Sequence, residues 1–287
     1  YPGLNTTYNL SDNLVLRAAY ARTIGRPNVS LIVPGATFSE PTATPPTISV
    51  TNTGLKPWTA DSYDLSVESY DIKDGFGSIG VFQKNIRNFF GSTTARGTRE
   101  LLALHGLPDD DLYLNYDIIT TTNVGDAKIT GVEFTYRQSL TFLPAWARGF
   151  QVFFNASKMH LGGSTTADFT GFNPSAISGG INFIRPRYFV KLTGTHQGET
   201  QRGAVAPSVA NGIPAGTYNY QSARTRWGLS AQYSLTRRVA IYGSVTDLNG
   251  SFNPATRRYA PGTPEYARMN RYQELGTYFT LGVKGQF

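Results

Sequence analysis

The chain has 287 residues, a formal net charge of +7 and no cysteine. No apolar run approaches the roughly eighteen residues of a transmembrane helix, which excludes that class of membrane protein, and the lack of cysteine excludes a disulfide framework. The basic residues occur singly along the chain, so the positive charge does not predict a nucleic-acid partner.

Several segments alternate between apolar and polar residues with a period of two. They occupy positions 14–21, 187–195, 226–235, 238–246 and 274–287. The same alternation occurs in a soluble β-sandwich, but soluble strands usually end after about five or six residues. These segments are about ten residues long, which is the length of a tilted strand that crosses a bilayer. The pattern therefore predicts an all-β fold, an antiparallel transmembrane β-barrel.

The last segment carries the strongest membrane signal. It ends on an aromatic residue, and its apolar face includes four residues that we interpret as a membrane-insertion signal: Phe279, Leu281, Val283 and Phe287. The alternation also predicts which residues contact lipid: Leu229, Ala231, Tyr233, Ile241, Val245, Phe279, Leu281 and Phe287. Their neighbours Gln232, Ser244, Thr280 and Lys284 are expected to face the lumen.

The connections alternate between short and long. Long ones are predicted at about 25–61, 89–115, 161–174, 198–223 and 249–272. Outer-membrane barrels have short periplasmic turns and long external loops, so the final strand runs towards the periplasm. Counting back from it gives about eleven strands, of which the first and last run in the same direction. Two such strands cannot close an antiparallel barrel, so this chain is predicted to supply only part of a larger one.

Six motifs in chain order resemble the C-terminal half of the barrel of TonB-dependent outer-membrane receptors. They lie at 13–27 (NLVLRAAYARTIGRP), 52–70, 81–86 (VFQKNI), 123–133, 247–249 and 276–287. Trp58 and Asp247 depart from the family pattern without affecting the fold. The Arg-Pro and Leu-Lys-Pro forms resemble the large-loop branch of the family, which is often linked to saccharide uptake.

The resemblance implies a barrel of about 22 strands in the outer membrane of a Gram-negative cell. Residues 1–287 would be the C-terminal portion of the barrel domain, without the plug domain. The implied partners are outer-membrane lipid and lipopolysaccharide, the plug and the remaining strands, the TonB complex through the missing N-terminal part, and a small-molecule ligand. The implied function is active uptake of a ligand, a saccharide or a siderophore-type chelate, without a cofactor. The alternatives are a smaller autonomous porin or enzyme barrel, or a structural module of an envelope assembly.

Two groups of residues are candidates for contact with a ligand or a plug. Strand residues predicted to face the lumen or the plug are Arg17, Asp64, Glu68, Glu133, Arg137 and Lys284. Aromatic residues of the external loops that could stack on a ligand are Trp58, Tyr218 and Tyr220, with Phe38. No catalytic arrangement of Ser, His and Asp or of paired carboxylates occurs, so no enzyme is predicted.

The remaining motifs favour structural roles. The three histidines, at 105, 160 and 196, pair with no cysteine or other histidine nearby in sequence, which does not predict a metal site. We interpret Asp109–Asp111 as a solvated acidic loop, with calcium binding by its carboxylates as an open alternative. Thr98 and Gly106 bound a short helix whose Leu101, Leu102 and Leu104 are expected to seat the loop.

Overall fold

The computed structural model describes residues 1–163, 171–205, 212–214, 216–250, 256–273 and 276–285. Within these residues seventeen strands follow one another: β1 (Gly3–Ser11), β2 (Leu14–Gly25), β3 (Ala36–Phe38), β4 (Thr47–Val50), β5 (Trp58–Ser69), β6 (Gly75–Arg96), β7 (Asp117–Ser139), β8 (Phe150–Gly163), β9 (Ser175–Ile184), β10 (Tyr188–Gln197), β11 (Thr200–Ala204), β12 (Tyr218–Gln221), β13 (Arg224–Ser234), β14 (Val239–Thr246), β15 (Thr256–Tyr259), β16 (Met269–Arg271) and β17 (Tyr278–Gly285). The helices are α1 (Val29–Ile32), α2 (Arg99–Leu104) and two 3-10 turns, Asp111–Asn115 and Glu265–Ala267. None of the described helices is long and apolar enough to cross a membrane.

Eleven strands form one continuous antiparallel sheet, which we call the wall. Its order is β1-β2-β5-β6-β7-β8-β9-β10-β13-β14-β17, so each strand pairs with the next wall strand along the chain. Within the described residues β1 and β17 lie at opposite edges and do not pair with each other. Because eleven consecutive strands alternate in direction, these edge strands run the same way. The predicted strand count and the open sheet are both confirmed.

The wall connections divide into a short-turn end and a long-loop end. Short turns follow β1, β5, β7, β9 and β13, and long connections follow β2, β6, β8, β10 and β14. Some predicted loop bounds differ from the structure. The loop expected at 25–61 includes the start of β5 at Trp58, and the loop expected at 89–115 is strand as far as Arg96. Register shifts in the β6–β7 pairing between Ile86 and Phe90 break the period of two there. A bulge of this kind hides the continuation of a strand from a search for alternation.

The long-loop end has its own small hydrophobic core. β6 and β7 are 22 and 23 residues long. At about 3.3 Å per residue each exceeds 70 Å, well beyond the roughly 30 Å of a hydrocarbon layer. On this extension β4 pairs in parallel with β7, and a cluster of buried residues joins β4, β7 and the loop that contains α2: Ile48, Val50, Leu102, Tyr116 and Ile118.

The two faces of the wall differ in chemistry, as the alternation predicts. The register pairs Leu229 with Val245 and Val245 with Phe279, while Ser230 pairs with Ser244 and Ser244 with Thr280. The apolar face is exposed instead of buried: Leu281 is 83% and Ile79 52% accessible. A sheet that exposes its aliphatic side suits a hydrocarbon solvent. Phe287 lies outside the described residues.

Candidate functional site

The polar face of the wall carries all six residues predicted to face the lumen or a plug. The register follows from strand to strand and places them opposite the apolar face: Arg17, Asp64, Glu68, Glu133, Arg137 and Lys284. The structure brings Arg17 and Glu68 together, with 2.9 Å between Nε and Oε1. Arg17 also donates to Thr7 Oγ1 at 3.1 Å. The other four residues share the face without forming one cluster, and contact with a plug stays a prediction.

Aromatic rings of the polar face lie over glycines of the neighbouring strand. A Cβ atom on Gly131 would lie 2.5 Å from the Phe82 ring, and one on Gly282 would lie 2.6 Å from the Tyr242 ring. A Cβ on Gly180 would lie 2.9 Å from the Phe153 ring. The ammonium of Lys191 lies over the Phe153 ring, 5.2 Å from its centre. Glycine therefore lets bulky rings lie flat against the polar face.

Gly180→Ala is expected to destabilise the wall. Its new Cβ would lie 2.2 Å from the carbonyl oxygen of Leu192, a backbone atom that cannot rotate away. Overpacking of this kind costs about 1–3 kcal/mol. Gly228→Ala is the matched control, since Gly228 lies on the same face and its Cβ would meet only Val245 O at 3.6 Å. The measurement is the temperature at which the heat-modifiable band of the full-length protein is lost; equal temperatures for both variants would contradict the predicted clash.

A second sheet at the long-loop end contains two of the predicted ligand-stacking residues. Its order is β11-β12-β15-β16, and we call it the loop sheet. Tyr218 and Tyr220 lie on β12, where Tyr220 stacks on Tyr259 of β15 with 4.1 Å between ring centres and 12° between planes. The Arg268 guanidinium lies 4.7 Å from the centre of the Tyr259 ring. The loop sheet therefore presents stacked aromatic rings next to cationic groups.

Glu199 links Tyr259 and Arg257 of the loop sheet through hydrogen bonds. Its carboxylate accepts hydrogen bonds from Tyr259 Oη at 2.5 Å and from Arg257 Nη1 at 3.1 Å. Burial, and then the hydrogen bond to Glu199, raises the pKa of Tyr259 above its usual range. Burial also raises the pKa of Tyr220. Both phenols are therefore neutral at physiological pH and act as hydrogen-bonding and stacking groups.

Most arginines in and beside the strands of the loop sheet form no ion pair with a carboxylate of the described residues. Within the described residues Arg257 pairs with Glu199 and Glu265, whereas four other arginines form no ion pair: Arg202, Arg258, Arg268 and Arg271. The side chains of three of the four donate to neutral acceptors: Arg202 to Gln221, Arg258 to Asn219 and Arg268 to the Thr263 carbonyl. An arginine so held is oriented but keeps free N–H groups, which suits an anionic ligand.

Trp58 and Phe38 lie apart from the loop sheet. Trp58 is the first residue of β5, and its ring occupies the space in front of Gly25, where a Cβ would fall 2.0 Å from it. Phe38 packs on Tyr113 at 5.2 Å. The sequence analysis missed Glu199, Tyr259 and Arg268. The run Arg257-Arg258-Tyr259 inside a predicted loop was the available signal.

The acidic loop and two of the histidines have partners within the chain. Arg99 lies 2.5 Å from both Asp109 and Asp111, and these carboxylates raise its pKa. Asp110 accepts a hydrogen bond from Leu112 N and so caps the following 3-10 turn. His105 ends α2, and His196 Nδ1 lies 2.8 Å from Thr225 Oγ1. No group of three potential metal ligands occurs in the part of the chain that the structure describes.

The helix predicted between Thr98 and Gly106 is confirmed. Thr98 accepts from Leu101 N, and Gly106 has a φ of 64°. Leu101 and Leu102 pack in the core of the long-loop end. Leu104 is 74% exposed and does not seat the loop. A leucine at this position points away from the core because Leu102 and Leu104 lie about 200° apart on a helix.

The chain belongs to the TonB dependent receptor-like, beta-barrel family, whose model matches residues 1–283. It is therefore an outer-membrane β-barrel protein, its apolar face is the lipid side, and its long-loop end is the external end. A comparison with curated proteins finds no match.

Similar solved structures confirm the fold. A mutant of the ferric enterobactin receptor PfeA from Pseudomonas aeruginosa in complex with enterobactin is 18% identical, with a TM-score of 0.70, over 100% of this chain and 40% of that one. The siderophore receptor PirA from Acinetobacter baumannii is 15% identical, with a TM-score of 0.68, over 100% and 41%. The copper transporter OprC is 13% identical, with a TM-score of 0.64, over 99% and 39%. The chain spans about two fifths of the length of these structures.

Proposed function

We propose that this chain forms about half of the barrel wall, and part of the external ligand-binding surface, of a TonB-dependent transporter for an anionic small molecule. The family assignment supports uptake across the outer membrane. The loop sheet supports the proposal that the ligand is anionic, because four arginines in and beside its strands form no ion pair within the described residues. That unneutralised charge is the observation that carries the proposal.

The transport step requires no bond to be made or broken in the ligand. Binding at the external loops is followed by displacement of a plug that fills the lumen, with energy delivered through TonB from the inner membrane. The polar wall residues, such as the Arg17–Glu68 pair, would contact the plug. The plug, the remaining strands and the TonB contact are parts of this proposal.

An anionic chelate suits the loop sheet better than a neutral saccharide. Stacking on sugars needs free aromatic faces, but Tyr259 has Tyr220 on one side and Arg268 close to its ring. Tyr220 has one face covered by the same stack. The guanidinium groups, in contrast, retain N–H donors for carboxylate, catecholate or phosphate oxygens. The similar structures include a ferric enterobactin receptor and a siderophore receptor, which agrees with a chelate ligand.

The test is uptake by cells that carry the full-length receptor as their only route. Three radiolabelled probes are used. Two are anionic iron chelates, ferric enterobactin and a ferric citrate complex, and the third is neutral maltotriose. We expect uptake of an anionic probe that stops when a proton uncoupler is added. Energy-dependent uptake of maltotriose, without uptake of either chelate, would contradict the anionic assignment and favour the saccharide hypothesis.

Arg258→Gln combined with Arg268→Gln is expected to weaken binding of the transported chelate at least tenfold. Hydrogen bonds to charged groups contribute about 1.5–3 kcal/mol each, and this variant removes two cations from the loop sheet. Arg237→Gln with Arg238→Gln is the matched control, because it removes two arginines from the short turn between β13 and β14. Affinity is measured by titration of the purified receptor. Equal weakening by both pairs would point to a general charge effect and contradict a site at the loop sheet.

A further inference from the structure

The polar face of the wall divides into two parts that differ in charge. Between the bulge near Asn88 and the short turns, its carboxylates lie on β5 and β7: Asp64, Glu68 and Glu133. The strands β9, β10, β13, β14 and β17 contain neither aspartate nor glutamate. These five strands are neighbours in the wall, and β8 separates them from β7. We call their continuous polar face the acid-free sector.

Small side chains line the middle of the acid-free sector. Two neighbouring rows of paired residues consist mostly of hydroxyl residues and glycine: Thr193, Gly228 and Thr246 in one row, and Lys191, Ser230, Ser244 and Thr280 in the next. Hydroxyl groups can donate hydrogen bonds to anionic oxygens, and short side chains leave room along the wall. The middle of the sector therefore suits the passage of an anion.

Cations without a carboxylate partner occur along the sector. There are four of them: Arg224 and Arg226 at the long-loop end of β13, Lys191 on β10 and Lys284 near the short-turn end of β17. Within the described residues none of the four forms an ion pair. Arg224 donates to the neutral Gln197 Oε1 at 3.3 Å, and the buried Nε of Arg226 has no acceptor among the described residues. These groups retain N–H donors for an anionic ligand.

The four cations follow one another from the loop sheet towards the short turns. The β12 strand of the loop sheet ends three residues before Arg224. Arg226 pairs with Thr195, and Lys191 lies four residues further along β10, or roughly 13 Å. Lys284 lies four residues beyond the row of Lys191 on β17. At the short-turn end a cavity of about 250 Å³ is lined by polar and basic residues that include Gln232, Ser234, Arg238 and Lys284.

The opposite side of the polar face repels an anion. Asp64 and Glu133 are exposed there and form no ion pair within the described residues, while Glu68 pairs with Arg17. The basic residues of that side stand among these carboxylates, which offset their charge: Arg17, Lys84 and Arg137. Repulsion between like charges is stronger in a lumen partly closed to bulk water than in open solution. The acid-free sector is therefore the more favourable side for an anion.

We propose that the acid-free sector is the wall side of the path along which the anionic ligand crosses the lumen, between the wall and the displaced plug. The ligand leaves the loop sheet at Arg224 and Arg226, passes the hydroxyl rows at Lys191 and reaches the periplasm at the cavity beside Lys284. The inference rests on the proposed function, which makes the ligand anionic and places its binding at the loop sheet.

The first test is the access of charged thiol reagents to single cysteines of the full-length receptor in energised cells. Ser230→Cys places a thiol in the acid-free sector. Ser66→Cys is the matched control, because Ser66 lies on the polar face of β5 between Asp64 and Glu68. This chain contains no cysteine, and the unmodified receptor gives the background labelling. The probes are anionic sulfonatoethyl methanethiosulfonate and cationic aminoethyl methanethiosulfonate.

We expect the ratio of anionic to cationic labelling rates to be at least tenfold higher for Ser230→Cys than for Ser66→Cys. Comparing ratios removes the difference in thiol reactivity between the two positions, because it affects both reagents alike. Equal ratios would overturn the sector. Failure of both reagents to label Ser230→Cys in energised cells would overturn it as well, since a path must be accessible.

The second test adds negative charge to the path. Ser230→Glu with Ser244→Glu is compared with the neutral pair of similar size, Ser230→Gln with Ser244→Gln, and the heat-modifiable band shows whether each variant is folded. We expect the initial rate of uptake of the transported chelate, ferric enterobactin or the ferric citrate complex, to be at least tenfold lower in the glutamate variant. The affinity of the purified receptor for that chelate should stay within twofold.

The outcomes separate this inference from the proposed function. Equal uptake by the glutamate and glutamine variants would overturn the path and leave the proposed function standing. Uptake of neither chelate by the wild-type receptor would contradict the proposed function. The labelling ratio uses no transported ligand, so it decides on the acid-free sector in either case.

Discussion

Leu281→Arg is expected to block insertion of the full-length barrel, with a large loss of folded, heat-modifiable protein in the outer membrane. Leu281 lies on the apolar face of β17 opposite Gly243, and its side chain is 83% exposed on the lipid side. An arginine on that face near the middle of the bilayer costs about 2–4 kcal/mol. The measurement is the yield of heat-modifiable protein in isolated outer membranes.

Thr280→Arg is the matched control for this prediction. Thr280 is the preceding residue of β17 and pairs with Ser244 on the polar face. An arginine there would point to the side where Arg17, Arg137 and Lys284 already lie. We expect nearly normal yield. Similar losses for both variants would show that the two faces of β17 have been assigned wrongly.

Leu102→Ala is expected to unfold the external loop between β6 and β7 without unfolding the wall. Leu102 is fully buried, with 0% exposure, against Ile48, Val50, Tyr116 and Ile118. Removing a buried leucine side chain costs about 2–5 kcal/mol. This loss is large for a core of five buried residues. Hydrogen exchange of 97–116 should become much faster, while exchange of the wall strands should stay slow.

Leu104→Ala provides the comparison within the same helix. Leu104 is 74% exposed, so the change removes little packing and leaves helix propensity nearly unchanged. We expect exchange of 97–116 to remain close to wild type. If Leu104→Ala loosened the loop as much as Leu102→Ala, the stability of the loop would depend on the helix itself rather than on the buried cluster.

The wall owes little to a hydrophobic core within the chain. Among the described residues the largest fully buried side chains are Ile48, Leu102 and Thr200, and none of these belongs to the eleven wall strands. The buried cluster within the wall is small and consists of Ala60, Ile86 and Ala127. Backbone ladders satisfy the polar groups of the wall, and lipid covers its aliphatic side. In hydrocarbon an unpaired backbone group costs several kcal/mol, so the free edges of β1 and β17 require further strands. Those strands complete the barrel in the proposed receptor.

Local pattern was sufficient to predict most of the wall. Where a strand alternates strictly, as in β13 and β17, the sequence identified both its existence and its two faces, because side chains of a strand point to opposite sides in turn. The prediction ended too early on β6, since the register shift near Asn88 moves the following residues to other faces. A bulge interrupts the alternation of side chains, so a period of two cannot be followed from one side of the bulge to the other.

The loop sheet could not be predicted from local pattern in the sequence. Glu199, Arg257 and Tyr259 come from connections about 60 residues apart, and nothing near Glu199 in the sequence indicates its partners. Trp58 was predicted to lie in an external loop. In the structure β5 pairs with β2, so Trp58 belongs to the wall and its ring packs on Gly25.

The amino-acid sequence alone was enough to predict the membrane class, about eleven wall strands, their direction and the chemistry of each face. It could do so because hydrocarbon on one side and a polar interior on the other impose alternation on every strand that crosses. The three-dimensional structure was needed to show which loop residues meet, how far β6 and β7 extend, and which arginines form no ion pair within the described residues. Those features depend on pairing between distant segments, and such pairing is set by register and bulges that no single strand records.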